Sequence, residues 1–276
     1  PVAAAPLSGA CTTKEAFAAL GNPVLFLFVG SFMIAEAMRV HGLGERLAGA
    51  LARQATGRLS ALAATSTAAF LMSMWISNAA STAVVLSIAL ALSAGDKRFR
   101  SAQVLGVAWG ASMGGLCTPV GTPPNLIGVR ALEALPASSG HHALTFAGWM
   151  AIGTPIAVTM LLAMIAVLAL RFGLRPRQPL PVAPSSTSKP WTRGEVAAAS
   201  AFGFAVGCWS VPGILELLDV SFIKALKGRV AEAVAAVVAA GVFFFWPIHR
   251  RGEPVRRALS WSEAQRIDWG TVILFG

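Results

Sequence analysis

Residues 114–125 read GGLCTPVGTPPN and interrupt a charge-free segment that extends from Ser101 to Val129. Three glycines and three prolines fall within eleven positions of this stretch. Proline lacks a backbone N–H donor and clashes with the preceding helical turn, so an α-helix cannot run through these residues unbroken. The segment 101–130 is therefore predicted to form a discontinuous helix.

The composition places this broken helix in a membrane protein. Of the 276 residues, 55% are hydrophobic and only 12% are charged, and the mean hydropathy is +0.67. Soluble domains carry about 25% charged residues, and disordered chains are poor in apolar ones. The three cysteines, Cys11, Cys117 and Cys208, are too few and too scattered for a disulfide scaffold. We therefore expect an all-α polytopic membrane protein.

A second interruption lies earlier in the chain. The segment from Leu59 to Gly95 contains no charge over 37 residues. A single span needs about 20 apolar residues, so this segment is too long for one span and short for two. Its middle, residues 75–82, reads WISNAAST and is polar and small. This pattern predicts a re-entrant helical hairpin over 59–95, and two complete spans joined by a tight turn are the alternative.

The remaining segments follow from apolar runs and the polar stretches between them. Leu43, Leu47 and Leu51 are four residues apart and predict an amphipathic helix in the membrane interface, with an ordinary connecting loop as the alternative. The predicted segments are 1–22, an extracytoplasmic lead-in; 23–58, a membrane helix plus a cytoplasmic interfacial helix; 146–170, a membrane helix; 171–193, a cytoplasmic linker; 196–248, two membrane helices (Ala197 to Leu215 and Val230 to Ile248); 249–267, a cytoplasmic loop; and 268–276, the start of a further membrane helix.

The net charge of +10 gives a topology. Seventeen of the 22 lysines and arginines fall in one alternating set of loops, and cytoplasmic loops carry the excess of basic residues. This assignment of the loops to the two sides of the membrane holds only if the segment 59–95 enters and leaves the membrane from the same side. We therefore expect a multi-pass plasma (inner) membrane protein whose surroundings are the lipid bilayer. No nucleic-acid partner is expected, because the basic residues stand in short loops between apolar runs.

The two breaks offer neutral oxygen atoms. Half-helix N-termini attract anionic groups, and unwound carbonyls coordinate cations. Neither break contains Asp, Glu, Lys, Arg or His, which favours sodium over a proton relay as the coupling ion. No cofactor, catalytic residue or metal other than sodium is expected, and a structural role for the polar residues is the alternative. These residues are Ser73, Ser77, Asn78, Ser81 and Thr82 in the first break, and Thr118, Thr122, Asn125 and the carbonyls around Gly121 in the second.

Three motifs in order give a family resemblance. They are FLFVG at 26–30, MSMWISN at 72–78 and GTPPN at 121–125. Together they resemble the divalent-anion:sodium symporter family of the ion-transporter superfamily, which transports dicarboxylates, tricarboxylates or sulfate. The resemblance implies an inverted-repeat transporter fold with a re-entrant hairpin and a discontinuous helix in each half. It also implies a homodimer and a binding domain that moves across the membrane.

The resemblance also implies two sets of site residues. By motif, Ser73, Ser77, Asn78 and the Gly121 carbonyl correspond to a sodium site. Ser77, Asn78 and Thr122 correspond to half of a substrate site for a small anion. Family members commonly have Ser-Asn-Thr at the hairpin tip, whereas Ala79 follows Asn78 in this chain. The missing hydroxyl leaves the choice of anion open.

The resemblance covers about half of such a transporter. We therefore expect an internal fragment that carries the first-half hairpin and broken helix and is inactive alone. Two other functions stay open on the sequence. One is a sodium-independent anion or oxyanion permease or channel of the same superfamily. The other is a membrane enzyme, for which the sequence supplies no catalytic group at membrane depth.

Overall fold

The structure, a computed structural model, describes residues 8–9, 12–14, 21, 23–133, 145–176, 178–181, 190–217, 232–248 and 255–275. Most of the lead-in 1–22, and parts of the linker and of the loops after α6, α8 and β1, lie outside these ranges. The described residues are almost entirely helical, which confirms the all-α class. The elements are α1 (Pro23–Val40), α2 (Leu43–Ala52), α3 (Arg58–Ser73), α4 (Asn78–Leu92), α5 (Lys97–Gly114), α6 (Pro123–Glu133), α7 (Phe146–Phe172), α8 (Arg193–Leu217), α9 (Glu232–Phe245), β1 (Pro247–Ile248), β2 (Arg256–Arg257), α10 (Trp261–Ala264) and α11 (Trp269–Phe275).

Both predicted interruptions are present. A short turn separates α3 from α4, at the polar residues expected for the hairpin tip. Residues 115–122 separate α5 from α6, where the glycines and prolines predict the broken helix. Whether the hairpin re-enters or crosses the membrane stays a prediction.

The chain divides into two compact units. The first unit to be described, Met38–Ala199, contains α2 to α7 and both interruptions. Its centre is an apolar cluster built around Leu62, Phe70, Phe99 and Leu168, all of which are buried. Asp96 caps α5, because its Oδ1 accepts the Phe99 N–H at 2.9 Å. This cap starts the helix that carries the second interruption.

Helices α3 and α5 approach each other closely along a face of small residues. Gly106, Gly110 and Gly114 recur every four residues on α5. A β-carbon at Gly110 would lie 2.6 Å from the carbonyl oxygen of Ser66, and one at Gly114 would overlap the Phe70 carbonyl. Only glycine permits such contact between backbones, and membrane helices commonly pack in this way. The close packing holds the end of α5 against the end of α3.

Helix α2 is attached to the start of α8. Arg46 makes two hydrogen bonds to Glu195, from Nε at 2.7 Å and from a terminal nitrogen at 3.0 Å. Its guanidinium also lies 4.7 Å from the centre of the Trp191 ring. Gly44, Ala48 and Ala52 are buried, whereas the leucine row that predicted this helix is partly exposed. The interfacial position of α2 stays a prediction.

The second unit contains residues 1–37 and 200–276. Within it, α1 and α9 touch through Gly30, where a β-carbon would lie 2.5 Å from the carbonyl carbon of Ala236. Strands β1 and β2 pair antiparallel, with Pro247 opposite Arg257 and Ile248 opposite Arg256. The predicted loop 249–267 therefore contains β2 and α10.

The predicted helix from Val230 to Ile248 is longer than the helix that forms. Helix α9 ends at Phe245, and Ile248 belongs to β1. Pro247 accounts for this end, because the residue before a proline is disfavoured in helical conformation and proline itself has no N–H to donate.

One described helix, α7, is by itself long and apolar enough to cross a membrane. A second crossing results if α1 and α2 are counted together as one broken span. Helices α4 and α9 are apolar but shorter. The uneven helix lengths reflect the interruptions, which divide the apolar segments into shorter pieces.

Candidate functional site

The hairpin tip begins where α3 ends. The N–H groups of Trp75 and Ile76 both donate to the Met72 carbonyl, at 3.1 and 2.9 Å, and close a tight turn. Ser77 then caps α4, because its Oγ accepts the Ala80 N–H at 3.3 Å. A serine before an asparagine and two alanines is a favourable helix start, since its hydroxyl satisfies one of the first free N–H groups.

Two predicted ligands meet at this tip. The Ser73 hydroxyl donates to Asn78 Oδ1 across 2.5 Å. Ser73 is fully buried, and Asn78 is half-buried at the first turn of α4. The bond joins the last residue of one arm to the first residue of the other. Two oxygen atoms of the kind that hard cations prefer therefore lie side by side.

The second interruption is attached to the first. Thr118, fully buried in the unwound stretch, donates from Oγ1 to the carbonyl oxygen of Met74 across 2.5 Å. Met74 directly follows Ser73, so this bond joins the loop to the hairpin tip. The unwound residues are thus buried against protein, as an irregular backbone at membrane depth requires.

Gly115 is the meeting point of the predicted cation ligands. A β-carbon at Gly115 would lie 2.7 Å from Asn78 Oδ1. A β-carbon at Gly121 would lie 2.5 Å from the carbonyl oxygen of Gly115. The backbone at Gly115 therefore touches Asn78 on one side and Gly121 on the other. The structure brings Ser73, Asn78 and Gly121 into one cluster.

The other two predicted residues lie at its edge. Ser77 is exposed, and its hydroxyl oxygen accepts the Ala80 N–H. Thr122 is half-buried, immediately before α6, and its carbonyl accepts the Asn125 N–H at 3.1 Å. Among the described residues, no hydrogen bond joins Thr122 directly to Ser77 or Asn78. Of the predicted substrate residues, Ser77 and Asn78 therefore belong to the hairpin tip and Thr122 to the broken helix, with no hydrogen bond between the two sides among the described residues.

The proline pair leaves one carbonyl free. In a helix, the carbonyl of residue 121 would accept an N–H from residue 124 or 125. Pro124 has no N–H, and the N–H of Asn125 donates to Thr122 instead. Across the part of the chain that the structure describes, the Gly121 carbonyl oxygen has no hydrogen-bond donor. It is available as a cation ligand.

The start of α4 offers hydrogen-bond donors, whereas the Gly121 carbonyl offers an acceptor. The N–H groups of Asn78 and Ala79 have no acceptor among the described residues, since Ser77 satisfies only those of Ala80 and Ser81. Free N–H groups and the helix dipole attract an anionic group. The site thus offers donors from the hairpin and an acceptor from the broken helix. No charged side chain occurs in 73–82 or 114–125.

The sequence did not identify how the loop carbonyls are satisfied. Asn125, expected to offer an oxygen, instead donates its amide hydrogens to the carbonyls of Gly115 and Thr118, at 2.7 and 2.8 Å. Trp149 on α7 donates from Nε1 to the Leu116 carbonyl at 2.9 Å. Proline within a broken helix is the signal that such donors must exist nearby, but it does not say where.

A family model and several curated relatives match this chain. The model of the citrate transporter family, CitMHS, matches residues 1–276. An uncharacterized transporter from Haemophilus influenzae is 28% identical over 97% of this chain. The sodium-dependent dicarboxylate transporters SdcS from Staphylococcus saprophyticus and Staphylococcus aureus are 28% and 27% identical over the whole chain.

The match covers all of this chain but only part of each relative. The chain spans 55% of the length of each of these proteins. The family model matches the full 276 residues and the relatives include sodium-dependent dicarboxylate transporters, so the predicted resemblance to the divalent-anion:sodium symporter family is confirmed. The chain belongs to the citrate transporter family.

Proposed function

We propose that this chain forms one half of the binding site in a sodium-coupled transporter of a divalent anion, embedded as a multi-pass protein in the inner membrane. The observation that carries the proposal is the cluster of Ser73, Asn78 and Gly121 around Gly115, in which residues of the two helix breaks meet and the Gly121 carbonyl has no donor among the described residues. The name of the Staphylococcus relatives, sodium-dependent dicarboxylate transporter, supports the same cation and class of anion.

The oxygen cluster is suited to sodium. Hard cations take several oxygen ligands from carbonyls, amides and hydroxyls. Ser73 Oγ and Asn78 Oδ1 are joined by a hydrogen bond in this structure, so an ion bound by both requires the Ser73 hydroxyl hydrogen to rotate away. The Gly121 carbonyl then supplies a ligand from the broken helix. All of these ligands are neutral, and the ion therefore keeps its positive charge in the site.

The positive charge of the bound sodium ion accounts for the coupling between sodium binding and anion binding. A divalent anion at the start of α4 meets the free N–H groups of Asn78 and Ala79, the exposed Ser77 hydroxyl and, across the site, Thr122. These groups do not neutralise two negative charges. A sodium ion nearby lowers the free energy of the bound anion, and by linkage the anion raises the affinity for sodium equally. Dicarboxylates, tricarboxylates and sulfate all fit this scheme.

The rest of the transport cycle needs more than this chain. The relatives are nearly twice as long, and the proposal assigns the second half of the substrate site to residues outside this 276-residue chain. Assembly as a homodimer belongs to the same proposal. The 276 residues by themselves are expected to show no uptake.

Uptake into proteoliposomes tests the proposal. The protein as its gene encodes it is reconstituted, and uptake of labelled succinate, citrate and sulfate is measured with an inward gradient of sodium or of choline. We expect saturable uptake of at least one anion that depends on sodium. Saturable uptake that is equal in choline would overturn the sodium coupling and favour the sodium-independent permease. The absence of uptake of all three anions would overturn the substrate class.

A further inference from the structure

The unwound stretch 115–122 depends on Asn125 for its shape. In a continuous helix the N–H of residue 119 would donate to the carbonyl of residue 115. Residue 119 is proline, which has no N–H, so the Gly115 carbonyl loses its natural donor. The Asn125 amide fills the gap, because Nδ2 lies 2.7 Å from that carbonyl oxygen and 2.8 Å from the carbonyl oxygen of Thr118.

The two partners of Asn125 fix the orientation of its side-chain amide. Both partners are carbonyl oxygens, which only accept, so the nitrogen of Asn125 must face them. Asn125 is 4% exposed, which removes water as an alternative donor. A buried carbonyl without a donor costs about 1–3 kcal/mol. The Gly115 carbonyl has the Asn125 amide as its donor, and the Thr118 carbonyl accepts both this amide and the Gly121 N–H, the latter at 3.3 Å. The side chain therefore fixes two points of the loop at once.

Both points border the proposed cation ligands. The Gly115 carbonyl is the atom that a β-carbon at Gly121 would approach to 2.5 Å, and Gly115 itself abuts Asn78 Oδ1. Thr118 is joined through its hydroxyl to the Met74 carbonyl, next to Ser73. Movement of either carbonyl would shift the Gly121 carbonyl relative to Asn78.

We propose that Asn125 is a positioning residue for the cation site: its amide holds the carbonyls of Gly115 and Thr118 and so places the Gly121 carbonyl beside Asn78. This inference rests on the proposed sodium site. Asn125 does not contact the ion. It acts through the backbone, as the outer groups around a metal ligand do, and loss of such a group commonly lowers affinity by about 10- to 100-fold.

Trp149 provides a matched control. Its indole N–H donates to the Leu116 carbonyl, in the same loop and at a similar distance of 2.9 Å. Trp149 also packs beside Gly128 and Gly153. Removal of this bond loosens the loop without touching the two carbonyls that border the cation ligands.

The experiment compares Asn125→Ala and Asn125→Ser with Trp149→Phe in the protein as its gene encodes it. Sodium-dependent uptake in proteoliposomes gives the half-saturating sodium concentration and the maximum rate. We expect Asn125→Ala to raise the half-saturating sodium concentration roughly 10-fold or more. Asn125→Ser, which keeps one donor on a shorter side chain, should give a smaller increase. Trp149→Phe should lower only the amount of folded protein and hence the maximum rate.

The outcomes separate the two proposals. Wild-type uptake that ignores sodium would contradict the sodium site itself and, with it, the role of Asn125. If wild-type uptake depends on sodium, an unchanged half-saturating concentration in both Asn125 variants would contradict the positioning role alone. An equal increase in Trp149→Phe would also contradict it, because any loosening of the loop would then suffice. If Asn125→Ala fails to accumulate, the half-saturating sodium concentration of Asn125→Ser tests the positioning role.

Discussion

Asn78 and Gly115 touch so closely that a β-carbon on Gly115 would lie 2.7 Å from the side-chain oxygen of Asn78. This contact joins the hairpin tip to the broken helix at the point where the sodium ligands are proposed. Glycine is therefore required at position 115 by its neighbour Asn78, since the backbone there has an ordinary right-handed helical conformation. A side chain added at Gly115 should therefore disturb Asn78 and, through it, sodium binding.

Gly115→Ala should raise the half-saturating sodium concentration. The added methyl group displaces Asn78 Oδ1, and overpacking of this kind costs about 1–3 kcal/mol, which corresponds to roughly 5- to 150-fold in affinity. Gly128→Ala is the control, because its β-carbon would meet the Trp149 ring at an ordinary 3.6 Å. Sodium-dependent uptake checks both variants. Equal sodium dependence of the two would show that the contact has no part in binding.

Ala79→Thr should strengthen dicarboxylate binding. Ala79 is exposed in the first turn of α4, beside the free N–H groups, and the change adds a hydroxyl donor there. One additional hydrogen bond contributes about 0.5–1.5 kcal/mol, or roughly 2- to 12-fold in affinity. Ala83→Thr, exposed one turn further along the same face, is the control. Competition of unlabelled succinate against uptake measures the change. No gain over Ala83→Thr would favour a different class of anion.

The close contact between α3 and α5 predicts that alanine is tolerated less well at Gly110 than at Gly203, which lies outside this contact. Gly110→Ala places a methyl group 2.6 Å from the Ser66 carbonyl and should destabilise the protein by about 1–3 kcal/mol. Gly203→Ala, in α8, meets no atom within 4 Å and should be neutral or stabilising by up to about 1 kcal/mol. Thermal unfolding in detergent measures both. A tolerated Gly110→Ala would contradict the backbone contact.

The interactions of the Asp96 carboxylate lead us to expect a loss of stability in acid. The Phe99 N–H and the Arg58 guanidinium, 2.6 Å from Oδ2, hold the pKa of this carboxyl below its usual 3.8, against the opposing effect of burial. A lowered pKa in the folded state contributes stability that is present above the unfolded value and is lost as the pH falls through the folded value. The unfolding temperature should therefore fall below pH 3.8 for this reason.

Asp96→Asn isolates that charge. The amide oxygen of asparagine still accepts the Phe99 N–H, but it has no charge to pair with Arg58. The variant should unfold at a lower temperature than the wild type at about pH 7, and the difference should shrink as the pH falls below 3.8. A difference that stays constant over this range would show that the carboxylate charge is not responsible.

The sequence predicted the positions of both interruptions because proline and glycine act locally. GGLCTPVGTPPN cannot continue a helix, and the helix stops at Gly114. The family resemblance then selected Ser73, Asn78 and Gly121, which the structure brings together. Long-range partners were not predictable. Asn125 and Trp149 donate to loop carbonyls of residues distant in the sequence, and no local pattern indicates such pairs. The predicted end of α9 was too late, because the prediction followed the apolar run through Pro247.

The half-saturating sodium concentration of Asn78→Ala tests the proposed site most directly. Asn78 offers the side-chain oxygen that touches both Ser73 and Gly115, so its loss should raise this concentration at least about 10-fold or abolish sodium-dependent uptake. Ser87→Ala removes an exposed hydroxyl that donates to the Val84 carbonyl on the same helix, and it should match the wild type. A sodium dependence of Asn78→Ala equal to that of Ser87→Ala would contradict the account.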